Sequence, residues 1–227
     1  MDFIIIVLAL LSLGISMGAQ GYIKSSYSKY AKVLTKKGLT GKETARLILD
    51  KNNLKKVKVE SVSGYLSDHY DPKAKVVRLS NDNYNGEGIA NVAVAAHECG
   101  HAIQDKENYS FMRIRHSLVP VVNLSSYAGY IAIILGSVAG LLGLIYLGIL
   151  LESVILVFQL ITLPVEIDAS RRALKKIKEY KILNDKELSS GKTVLTAAAL
   201  TYVASVATAI IQVLRLVLIY GRRDDRR

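Results

Sequence analysis

Two histidines and a glutamate stand in His97-Glu98-Cys99-Gly100-His101, an H-E-x-x-H spacing that is the part of this chain best equipped for chemistry. On a helix, residues four apart share a face, so both imidazoles can reach one Zn2+ while Glu98, beside them, serves as general base. The chemistry so assembled is hydrolysis: zinc activates water, and a carboxylate takes the proton and passes it to a leaving amine. There are only 4 histidines in 227 residues, and a shuffled chain would give such a match about three times in a thousand. Coincidence is the weaker explanation.

A catalytic zinc takes three protein ligands and keeps one position open. Glu166 is the favoured third ligand, in the stretch Leu163-Pro164-Val165-Glu166-Ile167-Asp168-Ala169-Ser170-Arg171-Arg172. Asp168 is its alternative, or a carboxylate that orients a histidine from behind. The plainer reading of both acids is compensation of the dipole of a helix started by Pro164. His69, in a turn beside Asp68 and Asp71, is a candidate for substrate contact, although a structural histidine is the commoner meaning. Arg171, Arg172 or a tyrosine could steady an oxyanion, against the ordinary role of a surface arginine. Cys99 is the single cysteine, so no disulfide forms within the chain and no thiolate cluster can hold metal. Helical geometry turns it away from the histidines, as a packed side chain, and Gly100 permits close helix approach.

These residues need elements to position them, and most of the chain's apolar material lies outside the segment that carries them. Hydrophobic types make up 51% of the residues and collect at residues 3–19, 118–163 and 194–219, with charge concentrated between. The expected plan is five segments: residues 1–19 as a transmembrane anchor, 20–116 as a metallopeptidase domain, 117–163 as a transmembrane helical hairpin, 164–192 as a basic cytoplasmic helix carrying the third ligand, and 193–227 as a C-terminal hydrophobic helix with a basic tail. The first run lacks the positive flank of a signal peptide and reads as an uncleaved anchor. Lysines follow it and none precedes it, which places residue 20 onward in the cytoplasm. The hairpin, about 47 residues without Lys or Arg, holds two spans of about 20 residues that turn near Gly140-Leu141-Leu142-Gly143. Two crossings return Glu166 to the side of His97. The last helix would put its arginines outside if it crosses, so it either spans against the rule or packs on the others.

Within the polar segment, helices are expected over about residues 26–53, broken at Gly38-Leu39-Thr40-Gly41 with Thr40 as cap. Strand patterns at residues 57–62, 65–70 and 76–80 predict a small antiparallel sheet; the last strand is an ordinary member of it or, equally, an edge that could hold an extended peptide. Residues 89–104 run without a breaker into the metal motif and form its helix. The fold class is therefore α+β, a mostly helical multi-pass membrane protein with a small sheet beside the H-E-x-x-H helix. A formal charge of +11 invites a nucleic-acid reading, but the lysines are scattered and no stacking or recognition module accompanies them. Charge beside apolar spans fits membrane topology.

Leu66-Ser67-Asp68-His69-Tyr70-Asp71-Pro72, Val77-Arg78-Leu79-Ser80, the motif continued through Ala102-Ile103-Gln104, and the stretch around Glu166 together resemble the YugP-like membrane zinc metallopeptidases of bacteria. More distantly the chain resembles gluzincins of the HtpX and CAAX-prenyl endopeptidase group. That resemblance implies His97 and His101 as zinc ligands, Glu98 as base and a glutamate as third ligand. The wider group has an aspartate four residues after its ligand glutamate, where this chain has Ser170.

The expected function is that of a membrane-anchored zinc endopeptidase with its site on the cytoplasmic side of the cell membrane, acting on a peptide or membrane-protein substrate in contact with the lipid bilayer. Nucleic acid is no partner, and the sequence names no membrane partner protein. Two rivals accompany this reading. One is a nonproteolytic scaffold or assembly factor with a structural zinc. The other is a site-2-type intramembrane protease, which the shortness of the apolar stretch around the motif disfavours.

Overall fold

The computed structural model describes residues 3–224. Its elements, in chain order, are α1 (Phe3–Ala31), α2 (Gly41–Lys51), β1 (Lys58–Val62), β2 (His69–Asp71), β3 (Val76–Ser80), α3 (Asn81–Asn85), α4 (Ile89–Lys106), α5 (Ser110–Ala139), α6 (Leu142–Glu179) and α7 (Asp185–Asp224). The protein is α+β and mostly helical. Two compact units share it: one holds the chain up to Gln20, Arg113–Pro164 and the chain from Thr201, the other Gly21–Met112 and Val165–Leu200.

The first unit is apolar on its outside. Phe3, Leu124 and Val138 are among its large exposed side chains, an arrangement that water penalises and lipid accepts. α1, α5, α6 and α7 are each long and apolar enough to cross a membrane. α5 and α6 form the expected hairpin, turning at Gly140 with φ +70, and they approach closely where glycines meet: a Cβ on Gly148 would lie 2.8 Å from the Gly129 carbonyl oxygen. Ile145, Ile149 and Leu216 form a buried cluster, and Ser137 Oγ shares a 2.9 Å hydrogen bond with Tyr220 OH, so the end of α7 packs on the hairpin.

Helix boundaries ignore the changes in hydropathy. α1 continues through Gln20 to Ala31, α5 begins at Ser110, α7 begins at Asp185, and Pro164 lies inside α6 rather than at a helix start. A proline inside a helix forfeits one backbone hydrogen bond and crowds the preceding turn, without ending a helix held on both sides of it. The last three arginine-rich positions, 225–227, lie outside the described residues.

The second unit has an ordinary core. Ala45, Ile48 and Leu49 of α2 pack against Val92, Ala95, Ala96 and Cys99 of α4. Thr40 starts α2 with a full capping box to Glu43, a device worth about 1 kcal/mol. The sheet has the order β1-β3-β2, and it is mixed. β2 and β3 are antiparallel, with Tyr70 opposite Val77, while β1 and β3 run parallel, with Lys58 opposite Val76. The expectation of a purely antiparallel sheet is corrected on that second pair. So is the placing of β3 at an edge: it is the central strand, paired on both sides, and β1 and β2 are the edges. The β2–β3 hairpin is local, closed by Asp71 Oδ1 accepting from Lys73 N at 2.9 Å and Ala74 N at 3.0 Å. β1 then takes the free side of β3, a pairing that alternation of side chains cannot orient.

Candidate metal centre

α4 is buried along most of its length and carries His97, Glu98 and His101. α6 carries Glu166, Asp168 and Ser170. The two helices meet at Gly100, where an added Cβ would stand 2.5 Å from the Ala169 carbonyl oxygen. Only a hydrogen fits there. The close approach brings Glu166 Oε2 within 3.2 Å of His97 Nε2 and 3.5 Å of His101 Nε2. The two rings lie nearly perpendicular with centroids 4.8 Å apart. One ligand atom from each of His97, His101 and Glu166 can be chosen so that all lie within 4.8 Å of one another.

The outer nitrogens are held from behind. His101 Nδ1 lies 3.0 Å from Gln104 Oε1, and Gln104 Nε2 donates to Val165 O at 2.8 Å and to Asp168 Oδ2 at 2.9 Å. With its amide donors so engaged, Gln104 offers only an acceptor, so Nδ1 of His101 bears the proton and Nε2 presents its lone pair to the centre. His97 Nδ1 lies 3.1 Å from Ser170 Oγ, a hydroxyl able to accept or donate. Asp168 is fixed in turn by Arg171 Nη2 at 2.7 Å and by Arg172 Nε, and Arg172 extends to Glu107. Two imidazole nitrogens and one buried carboxylate oxygen, with supported outer nitrogens, suit zinc's preference for three N/O ligands and an open position.

Glu98 is buried beside this cluster. Burial pushes its carboxyl up to about 7, the charges of Glu166 and Asp68 push the same way, and the His97 charge and a hydrogen bond from the Tyr70 backbone oppose them. Tyr70 belongs to β2, an edge strand, which therefore lies near Glu98. β2 is itself anchored: the Asp68 carboxylate accepts from Ser80 N and Asn83 Nδ2, each at 2.8 Å. Asn83 Oδ1 accepts from Tyr27 OH at 2.8 Å and Asn91 Nδ2 at 2.9 Å.

Of the residues singled out from sequence, His97, His101 and Glu166 come together and Glu98 lies against them. Asp168 acts on His101 only through Gln104. Arg171 and Arg172 are both engaged by Asp168. His69 Nδ1 donates to Ser67 O at 2.8 Å, and its other nitrogen faces Arg78 Nη1 at 3.4 Å. Cys99 is fully buried, its Sγ 3.5 Å from Ala45 O, and burial pushes its thiol well above the ordinary range. Gln104 and Ser170 escaped the sequence reading as supports. Their signal was helical spacing: Gln104 follows His101 by one turn and Ser170 follows Glu166 by one turn.

Residues 4–221 match the family described as "Putative neutral zinc metallopeptidase". The chain belongs to that family. Within this zinc metallopeptidase family it is similar to the "Putative membrane protease YugP" of Bacillus subtilis (strain 168), with 46% identity over 221 residues that cover 97% of this chain and 98% of the relative. No solved structure matches the chain. The family's own description names zinc, and His97, His101 and Glu166 are, among the described residues, a group that could hold a metal ion.

Proposed function

We propose that this protein is a membrane-anchored zinc endopeptidase that hydrolyses peptide bonds at the cytoplasmic surface of the cell membrane. The observation that carries the reading is Glu166 meeting both Nε2 atoms of an H-E-x-x-H pair, with a buried Glu98 alongside. In this reading His97, His101 and Glu166 hold the zinc, which supplies a Lewis acid that makes water nucleophilic near neutral pH.

The protein's own groups do the rest. Glu98 accepts a proton from the attacking water as its oxygen bonds to the scissile carbonyl carbon, and delivers that proton to the amide nitrogen as the C–N bond breaks. Gln104 and Ser170 keep the two imidazoles aimed inward. β2 presents the edge nearest Glu98, so an extended substrate strand is best seated there and not on the fully paired β3. The lysines after the first span support the cytoplasmic side, and two crossings between His97 and Glu166 would leave both residues on it. The substrate is a peptide or membrane protein within reach of the bilayer. α4 is not among the four helices suited to crossing a membrane, which favours a surface site over one within a span.

The test is proteolysis of casein and of a membrane-anchored substrate by detergent-solubilised protein with zinc. Wild type should cut, Glu98→Gln should bind zinc and lose at least about a thousandfold in rate, and Glu166→Ala should lose the zinc. Cutting by Glu98→Gln at the wild-type rate would overturn the mechanism. Zinc bound by wild type without any cutting would move the scaffold reading ahead.

A further inference from the structure

α6 and α7 run side by side beyond their apolar stretches, and a groove lies between them. Its lower part is a cavity of about 250 Å3 with Ile167 and Leu174 on one wall, Leu195 and Ala199 on the other, and Arg171 and Lys192 at the rim. The wall residues recur at helical spacing, 167, 171 and 174 on α6 and 192, 195 and 199 on α7, so each helix gives one face. The groove continues past Leu174 and Lys192, with Lys175 and Lys178 of α6 facing Leu188 and Ser189 of α7 and Asp185 as the acid on that part of its lining. Lys192 is exposed, and Arg171 is 77% exposed and among the described residues bonds through Nη2 to Asp168, a contact that uses one of its five donors.

We infer that this groove binds an anionic phospholipid, its phosphate between Arg171 and Lys192 and an acyl chain along Ile167 and Ala199. Three observations select that occupant. Each wall helix passes without a break into a stretch suited to crossing a membrane, so the Ile167–Ala199 end is the end nearest the acyl chains. Side chains on α6 lean toward its N-terminus, that is toward those apolar residues, which aims Arg171 at headgroup depth. The rim is cationic over an apolar floor, the pattern that holds a lipid headgroup and tail together. The occupied groove would touch the metal centre from outside, since Ser170 lines it and bonds His97 Nδ1, and Arg171 steadies the Asp168 that orients Gln104. The inference rests on membrane embedding and is independent of peptidase activity.

Delipidated full-length protein in a non-ionic detergent is titrated with dioleoyl phosphatidylglycerol and, separately, dioleoyl phosphatidylcholine, with bound lipid counted by native mass spectrometry. One phosphatidylglycerol should be held about 25-fold more tightly than phosphatidylcholine, about fivefold for each cation. The double variant Arg171→Ala/Lys192→Ala should bring the two lipids level. Ala199→Leu, which fills the floor without changing charge, should weaken both. Lys55→Ala/Lys56→Ala removes the same charge far along the sequence and should leave the preference intact. Equal loss in the two double variants would reduce the effect to diffuse surface charge and overturn the site. So would the absence of any preference in wild type. Displacement of the lipid by millimolar inorganic phosphate, with Ala199→Leu silent, would reassign the groove to free phosphate.

Discussion

The two histidines of the candidate metal centre are held by different means. His101 is backed by an amide that can only accept, because Val165 O and Asp168 fix its donors; His97 is backed by the hydroxyl of Ser170, which serves either way. One support dictates a tautomer and the other follows it. The difference teaches that the rigid half of the centre is the α4 half nearest Asp168, where a chain of charged groups reaches Arg172 and Glu107, and that the Ser170 half is adaptable.

The most severe way to break this comparison is to separate both supports at once. Gly100→Val places carbon where the Ala169 backbone already lies. It should cost about 1–3 kcal/mol of stability by overpacking, seen as a lower Tm, and should abolish zinc retention on gel filtration. Retention of zinc at the wild-type level would mean that the close approach of α4 and α6 is not what assembles the centre. Gln104→Met comes next. It removes the one-way support while keeping the volume, and should weaken zinc binding about 10–100-fold in chelator competition. In the metal-free protein it should also give mixed tautomers at His101 by 15N NMR, where wild type shows one. A single unchanged tautomer would remove Gln104 from its role. The smallest effect belongs to Ser170→Ala, a loss of less than about tenfold in affinity. Ser170→Asp sharpens the contrast by giving His97 a one-way acceptor, and should bind zinc more tightly than wild type. If Ser170→Ala proves as damaging as Gln104→Met, the two supports are equivalent.

Much of this was legible in the sequence because helical spacing is local. The His97–His101 pair, the hairpin turn at Gly140, the Thr40 cap and the return of Glu166 to the histidines all follow from counting along one or two helices. The sheet was less legible. Val76–Ser80 has a strand's alternation whether it lies at an edge or in the middle, and nothing in β1 says which way it will pair. Changes of hydropathy do not mark the ends of α1, α5, α6 and α7, since a helix crossing from lipid to water changes its side chains and not its backbone. The supports at Gln104 and Ser170 were within reach of the same counting, one turn from His101 and Glu166. Only the approach at Gly100 made that turn face a histidine.

Cys99 sits on the face of α4 turned to α2, fully buried, with a thiol that burial keeps protonated. An alkylating reagent therefore reaches sulfur only when α4 lifts away from its bed. Being the sole cysteine, it makes the chain its own stopwatch: the rate of thiol labelling reads how often the helix bearing His97, Glu98 and His101 comes loose, with no cysteine introduced.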